Sequence, residues 1–360
     1  MAPKFNKVHN KFKYNGIHYK YNELKDLAYS LIKEGESYEK EIGNFLTDWL
    51  NKKSHISVKT SGSTGFPKTI KLQKQSMVNS AIATGDYFNL VSGDTALGCL
   101  PIKYIAGKMM LVRAIVLGLE IDMVKPTSQP VFDEDKPYDF CAMVPLQVGN
   151  ILDKTENIKT IIIGGSRIPM KVLERLESGK SKYYETYGMT ETITHVAVKQ
   201  LESKASNGEP YFSALPNVKF QIDNRNCLII DAPKLKVENL VTNDVVELFS
   251  DQKFELLGRH DNVVNSGGVK LYPEQIEKKL QSILNQRFIV AGEEDSELGE
   301  RLILIVENPS KSIAEIKSQI DNLEELDKFE IPKAIYSINK FEETASGKIQ
   351  RTKSIKTAKR

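Results

Sequence analysis

The chain has 360 residues, 50 basic and 47 acidic for a net charge of +3, with 40% hydrophobic and 27% charged residues. That length suits two domains, or one large and one small, and the near-balance of charge gives no case for a nucleic-acid or membrane partner. Cys99, Cys141 and Cys227 lie far apart in no metal-ligand spacing, and no run of about 18 apolar residues or secretory leader is present, so a reducing, cytoplasmic setting is expected.

In chain order, Leu24, Leu27, Leu31 and Ile32 recur at helical spacing, as do Ile42, Phe45, Trp49 and Leu50. A β-type run at 56–59 leads into a Gly/Ser/Thr loop at 60–68, and strand character resumes at 69–72. Beyond it, a helix at 109–119, strands at 140–144 and 160–163 and a helix at 171–176 predict an α/β unit with largely parallel pairing. From 217 the texture turns β, with strands at 218–222, 228–230, 245–248 and 254–257. A polar run at 258–262 then opens a smaller α/β unit: helix 273–284, strands 288–290 and 302–306, helix 313–326 and strand 334–338. The expected organisation is a domain over 1–257, a hinge over 258–262 and a second domain over 263–360. The basic tail 353–360 is expected to be solvated and frayed.

Residues 60–68 concentrate chemistry. Thr60, Ser61, Ser63 and Thr64 supply hydroxyls, Gly62 and Gly65 let backbone N–H groups converge on an anion, and Lys68 adds charge. Pro67 stands where a Walker loop needs glycine, so this is a different phosphate loop. On composition alone, an ordinary Ser/Gly surface loop competes with that reading.

The string resembles the phosphate loop of the adenylate-forming superfamily: acyl- and aryl-CoA ligases, peptide-synthetase adenylation domains and luciferases. Further segments resemble the same family, in its order, over about residues 56–351. Gly164-Gly165-Ser166 with Pro169 resembles its adenine-bordering turn, and Tyr187-Gly188-Met189-Thr190-Glu191 its Tyr-Gly-x-Thr-Glu. Thr242-Asn243-Asp244 stands at its Thr-Gly-Asp, where Asn243 is expected to tolerate the positive φ of the missing glycine. Gly258-Arg259-His260-Asp261 resembles its hinge, the segment 266–277 the start of its mobile C-terminal domain, and 344–351 its lysine loop.

The resemblance implies a large N-terminal α/β domain with a β-rich subdomain and a small mobile α+β C-terminal domain. It implies ATP, Mg²⁺ and coenzyme A as substrates or cofactors, with a small carboxylic acid as the other partner. For ATP it implies Thr60, Ser61, Gly62, Ser63, Thr64, Gly65, Lys68, Gly165, Ser166, Tyr187, Gly188, Asp244 and Arg259. Lys348, Thr190 and Glu191 become catalytic candidates, Glu191 also the Mg²⁺ ligand. Asp261 becomes the hinge pivot, and Ser266, Gly267, Gly268 and Lys270 the face for the CoA step. His260 reads better as a solvated linker residue.

Two departures bear on substrate. Only 59 residues precede the loop, so a shortened N-terminal part is expected. At 100–107, Lys103 and Tyr104 replace the aromatic–histidine pair common in CoA ligases; with Gly107 and Gln147 they are the acid-pocket candidates. A lysine there suits a second carboxylate, although a solvent-facing Lys103 is the plain alternative. Compact length and the form of the hinge look most like the o-succinylbenzoate–CoA ligases of menaquinone biosynthesis. Alternatives are another aryl- or acyl-CoA ligase, a carrier-loading adenylation enzyme, and an adenylate-binding regulator without turnover.

Overall fold

The computed structural model describes residues 3–59, 69–176, 181–201, 211–343 and 349–358. Among them the main sheet has 13 strands. One half is parallel: Lys13–Tyr14, Glu120–Met123, Thr95–Gly98, Tyr138–Met143, Ile158–Ile163 and Lys182–Gly188 lie side by side in that order. These strands are covered on both faces and therefore read as near-continuous apolar runs. Ile162 and Ala142 face one core cluster, whereas Ile161, Ile163 and Cys141 face the other. The other half is antiparallel, running from His195–Leu201 through Phe212–Ala214, Lys253–Arg259 and Val237–Ser250 to Cys227–Ala232 and Lys219–Ile222. The expected α/β class with a β-rich section is borne out, and parallel pairing is confined to the first half.

A separate two-stranded ribbon pairs His55–Lys59 with Thr69–Gln73 and flanks the 60–68 loop. Helices Glu23–Glu34 and Ser37–Leu50 form where the apolar spacing predicts them, burying Leu24, Phe45 and Trp49. Helix Lys74–Phe88 escapes that reading because its buried stripe is Ser76, Ser80, Thr84 and Gly85 as much as Met77 and Val78. Gly85 packs so close to Leu117 of helix Ile105–Leu117 that a side chain there would press on it.

Beyond 262 a second sheet has five strands, Val269–Leu271, Val264–Ser266, Gly299–Glu307 and Phe288–Asp295, with Ala334–Ile338 parallel to Gly299–Glu307. Its faces carry two apolar clusters, one under helices Pro273–Leu280 and Ile313–Asp321 and one around Ile303, Ile338 and Phe341. The tail differs from expectation: Arg351–Ala358 is a helix, because Ile355 and Ala358 have an apolar cluster to pack against and Arg351 has buried partners. No helix among the described residues is long and apolar enough to cross a membrane.

Candidate active site

The parallel strands all end on the same side, and their C-terminal ends bring the candidate residues together, as open parallel sheets do for ligands. Strand Ile158–Ile163 runs into Gly164, Gly165 and Ser166, and its neighbour Lys182–Gly188 runs into Met189, Thr190 and Glu191. Thr186 Oγ1 donates to the Ile163 carbonyl at 3.1 Å, and a side chain at Gly164 would collide with that same hydroxyl. Gly165 turns the chain at φ 92° and leaves Ser166 exposed. A side chain at Gly188 would strike the Thr194 carbonyl and His195 Cα, so the strand must end in glycine for this loop to close.

Thr192, which the motif reading passes over, holds the loop in shape. Fully buried, its hydroxyl accepts from Met189 N at 3.0 Å and lies 3.0 Å from the Met189 carbonyl and 2.8 Å from the Thr194 carbonyl. Thr190 is thereby half-exposed and Glu191 exposed at the strand end. Glu191 makes no ion pair among the described residues, a free carboxylate of the kind Mg²⁺ takes alongside phosphate oxygens and water.

Tyr187 joins the two halves of the sheet. Its hydroxyl donates to Asp244 Oδ2 at 2.6 Å, and its ring packs against Phe212 and Phe254 at 5.9 and 5.1 Å between centroids. Burial, and then the Asp244 charge, raise the phenol well above its ordinary value, so it stays a donor. The register of the long hairpin sets Asp244 opposite Arg259, whose Nη1 donates to Asp244 Oδ1 at 3.1 Å. Arg259 Nη2 also reaches Asp261 Oδ2 at 3.3 Å. Asn243 needs no positive φ, contrary to expectation. It lies within strand Val237–Ser250, and its amide donates to Asp261 Oδ2 at 3.2 Å. Asp244 is only 8% exposed. Ser266 and Val269 flank a two-residue turn in which Gly267 and Gly268 have φ of 56° and 82°, the conformation of a tight I′ hairpin, and Lys270 follows it opposite Asn265.

The acid-pocket candidates divide. Gly107 is buried, and any side chain there would run into the Pro101 carbonyl, so glycine is what lets helix Ile105–Leu117 start so tightly against that turn. Lys103 and Tyr104 are exposed, the Lys103 ammonium 5.1 Å from the Tyr104 ring centroid. Gln147 is buried, but its amide nitrogen donates to the Cys99 and Thr127 carbonyls at 3.0 and 2.9 Å, and its oxygen accepts from Val144 N at 3.2 Å. Its polar atoms thus pin the turns around it instead of lining a pocket. Residues 60–68 and Lys348 lie outside the described residues.

The sequence reading missed Arg113. Set in an apolar stretch of helix Ile105–Leu117, it is 1% exposed and makes no ion pair among the described residues. Its Nε donates to Thr84 Oγ1 at 3.3 Å, Thr84 Oγ1 lies 3.3 Å from His195 Nε2, and Arg113 Nη2 has no partner among the described residues. Burial lowers the guanidinium to about 9, which leaves it charged at neutral pH. Burial, and then Arg113, push His195 well below its ordinary value, so its ring is neutral. A buried cation with an open donor is costly unless an anion completes it. The only sequence signal was an arginine within the apolar run 109–117.

The family model described as AMP-binding enzyme matches residues 58–237, a span that includes Gly164–Ser166 and Tyr187–Glu191. This chain belongs to the AMP-binding enzyme family. An acyl-CoA synthetase (AMP-forming)/AMP-acid ligase II-like protein from Dyadobacter fermentans DSM 18053 is 31% identical, with a TM-score of 0.61 over 92% of this chain and 97% of that one. The 2-succinylbenzoate–CoA ligase of Lactococcus lactis subsp. lactis (strain IL1403) is 25% identical over 334 residues, 84% of this chain and 71% of the relative. The fold is shared with the Bacillus subtilis O-succinylbenzoate coenzyme A synthetase (MenE) in complex with ATP and magnesium ion, at TM-score 0.72 and 18% identity over 92% of this chain and 82% of that one. As an AMP-binding enzyme the chain carries the AMP-forming acid–CoA ligase character read from its motifs.

Proposed function

We propose that this AMP-binding enzyme activates 2-succinylbenzoate as its acyl-adenylate and transfers the acyl group to coenzyme A, a step of menaquinone biosynthesis. The observation that carries the reading is the junction at Tyr187, where the strand leading to Thr190 and Glu191 meets the Asp244–Arg259 pair.

In the first half-reaction the acid's carboxylate attacks the α-phosphorus of ATP and pyrophosphate leaves. Asp244, steered by the Tyr187 hydroxyl, accepts from the ribose hydroxyls, and Gly165, Ser166 and Gly188 border the adenine. Arg259 adds charge beside ribose and phosphate. Thr60, Ser61, Gly62, Ser63, Thr64, Gly65 and Lys68 cradle the departing phosphates, and Thr190 holds the α-phosphate. Mg²⁺ held by Glu191 would neutralise charge on the phosphates. Lys348 is the point charge for the pentacoordinate centre; positioning and electrostatics supply the acceleration. In the second half-reaction the C-terminal domain (263–360) turns about Asp261 in the hinge (258–262) and presents Ser266, Gly267, Gly268 and Lys270. The thiol sulfur of CoA then bonds to the acyl carbon, the anhydride C–O bond breaks and AMP departs with the electron pair.

For the acid, the buried guanidinium of Arg113 supports a substrate with a second carboxylate better than the exposed Lys103 does. The names borne by relatives at about a quarter identity point the same way. The test is pyrophosphate release with ATP, Mg²⁺ and CoA, comparing 2-succinylbenzoate with benzoate, acetate and no acid. Release that needs 2-succinylbenzoate, with its CoA thioester formed, is expected. Equal release with benzoate would remove the dicarboxylate assignment, and no release with any acid would remove the ligase reading.

A further inference from the structure

Helix Pro273–Leu280 carries a carboxylate shared by two arginines from distant parts of the chain. Glu277 Oε1 accepts from Arg351 Nη1 at 2.7 Å and from Val290 N at 2.8 Å. Its Oε2 accepts from Arg351 Nη2 at 2.9 Å and from Arg167 Nη1 at 3.5 Å. The side chain of Glu277 is 8% exposed, that of Arg351 21% and that of Arg167 37%. Arg351 therefore already neutralises Glu277 within the C-terminal sheet, by the two-pronged geometry that makes such pairs strong. Arg167 is an addition from the other side of the hinge.

The position of Arg167 is what gives this contact meaning. It directly follows Gly165 and Ser166, at the end of strand Ile158–Ile163. The other polar contacts that join this helix to residues up to 262 lie near the hinge itself: Gln275 Nε2 donates to the Leu256 carbonyl at 2.8 Å, and Asn262 Nδ2 to Glu274 Oε1 at 2.5 Å. Contacts close to an axis survive a rotation, whereas one away from it is broken early. Arg351 also opens the helix into which the Lys348 segment leads.

We propose that Arg167 is a positioning residue: its ion pair with Glu277 is a latch that favours the orientation of the C-terminal sheet used for adenylate formation and must open before the CoA step. The inference rests on the two-step reading above. Two features suit a latch. The pair is long and its arginine end is partly exposed, so it can be broken cheaply; and losing Arg167 leaves Glu277 compensated by Arg351, so its removal does not strand a buried charge.

The experiment separates the half-reactions in the full chain. Arg167→Ala should slow acid-dependent ATP–pyrophosphate exchange about 3- to 10-fold, with thioester formation from supplied acyl-adenylate and CoA unchanged and Arg167→Lys restoring most of the exchange. Hydrogen exchange of the 258–262 amides should quicken in Arg167→Ala at an unchanged melting temperature. Equal loss in both half-reactions, no loss in either, or a greater loss in the CoA step would each overturn the latch. If the wild type runs neither half-reaction, the functional reading fails, and the hinge amides still decide: quicker exchange supports the latch, and unchanged exchange overturns it.

Discussion

Two regions of the molecule draw an arginine inward, Arg351 in part and Arg113 fully, and pair it in opposite ways. In the C-terminal sheet, Arg351 meets Glu277 in two parallel hydrogen bonds and also donates to the Val290 carbonyl at 2.7 Å. Beneath the main sheet, Arg113 has a threonine hydroxyl and the Met110 sulfur for partners, and its Nη2 points at nothing among the described residues. The first is a closed account of charge and holds structure. The second is open among the described residues, and a buried cation with an unfilled donor is completed best by an anion. The two arginines differ most in the completeness of their pairing.

The sharpest way to break this contrast is to remove one partner from each region. Glu277→Ala removes both parallel hydrogen bonds to Arg351, leaving it the Val290 carbonyl and Glu274 at 3.8 Å, and should cost about 1.5–3 kcal/mol of stability, read by chemical denaturation. Arg113→Met removes a charge that nothing neutralises, so it should leave the melting temperature unchanged or higher. The same variant should lower kcat/KM for 2-succinylbenzoate by about 10- to 100-fold while leaving KM for ATP unchanged. If Glu277→Ala were harmless and Arg113→Met unfolded the protein, the contrast would be reversed.

Tyr187 lies between the two regions. Tyr187→Phe keeps the ring against Phe212 and Phe254 and deletes only the donor to Asp244. A hydrogen bond to a buried carboxylate is worth about 1.5–3 kcal/mol, so KM for ATP should rise roughly tenfold or more. An unchanged KM for ATP would leave Tyr187 a packing residue. The smallest effect is one of pH. His195 is held below its unfolded value by burial and by Arg113, so the unfolded chain binds the extra proton first. Stability is then full above about pH 6.5 and falls as pH drops below it, by about 1.4 kcal/mol per unit at most. His195→Gln should flatten that slope in thermal melts at pH 5.5 and 7.5.

The sequence was most legible where residue type and chemistry coincide. Glycine at 107, 164 and 188 is required by close backbone approach, and the isoleucine run of 158–163 by burial on both faces. It was least legible where packing decides. Helix Lys74–Phe88 hides behind a stripe of small polar residues that becomes interior only because Arg113 and His195 meet Thr84 there. Gln147 and Asn243 stood at informative positions, yet their amides are engaged by backbone and by Asp261, contacts no spacing encodes. Arg113 and Thr192 carry no motif of their own, and only the fold brings Thr192 under the Met189 loop and Arg113 against Thr84.

The central claim is that one crevice forms an adenylate before CoA is involved. It is tested most directly by exchange of labelled pyrophosphate into ATP with 2-succinylbenzoate and Mg²⁺ and without CoA, in the wild type and in Lys348→Ala. The account predicts acid-dependent exchange that the substitution lowers by about 10² or more, with thioester formation from supplied adenylate intact. Exchange that requires CoA, or an equal loss in both half-reactions, would contradict it.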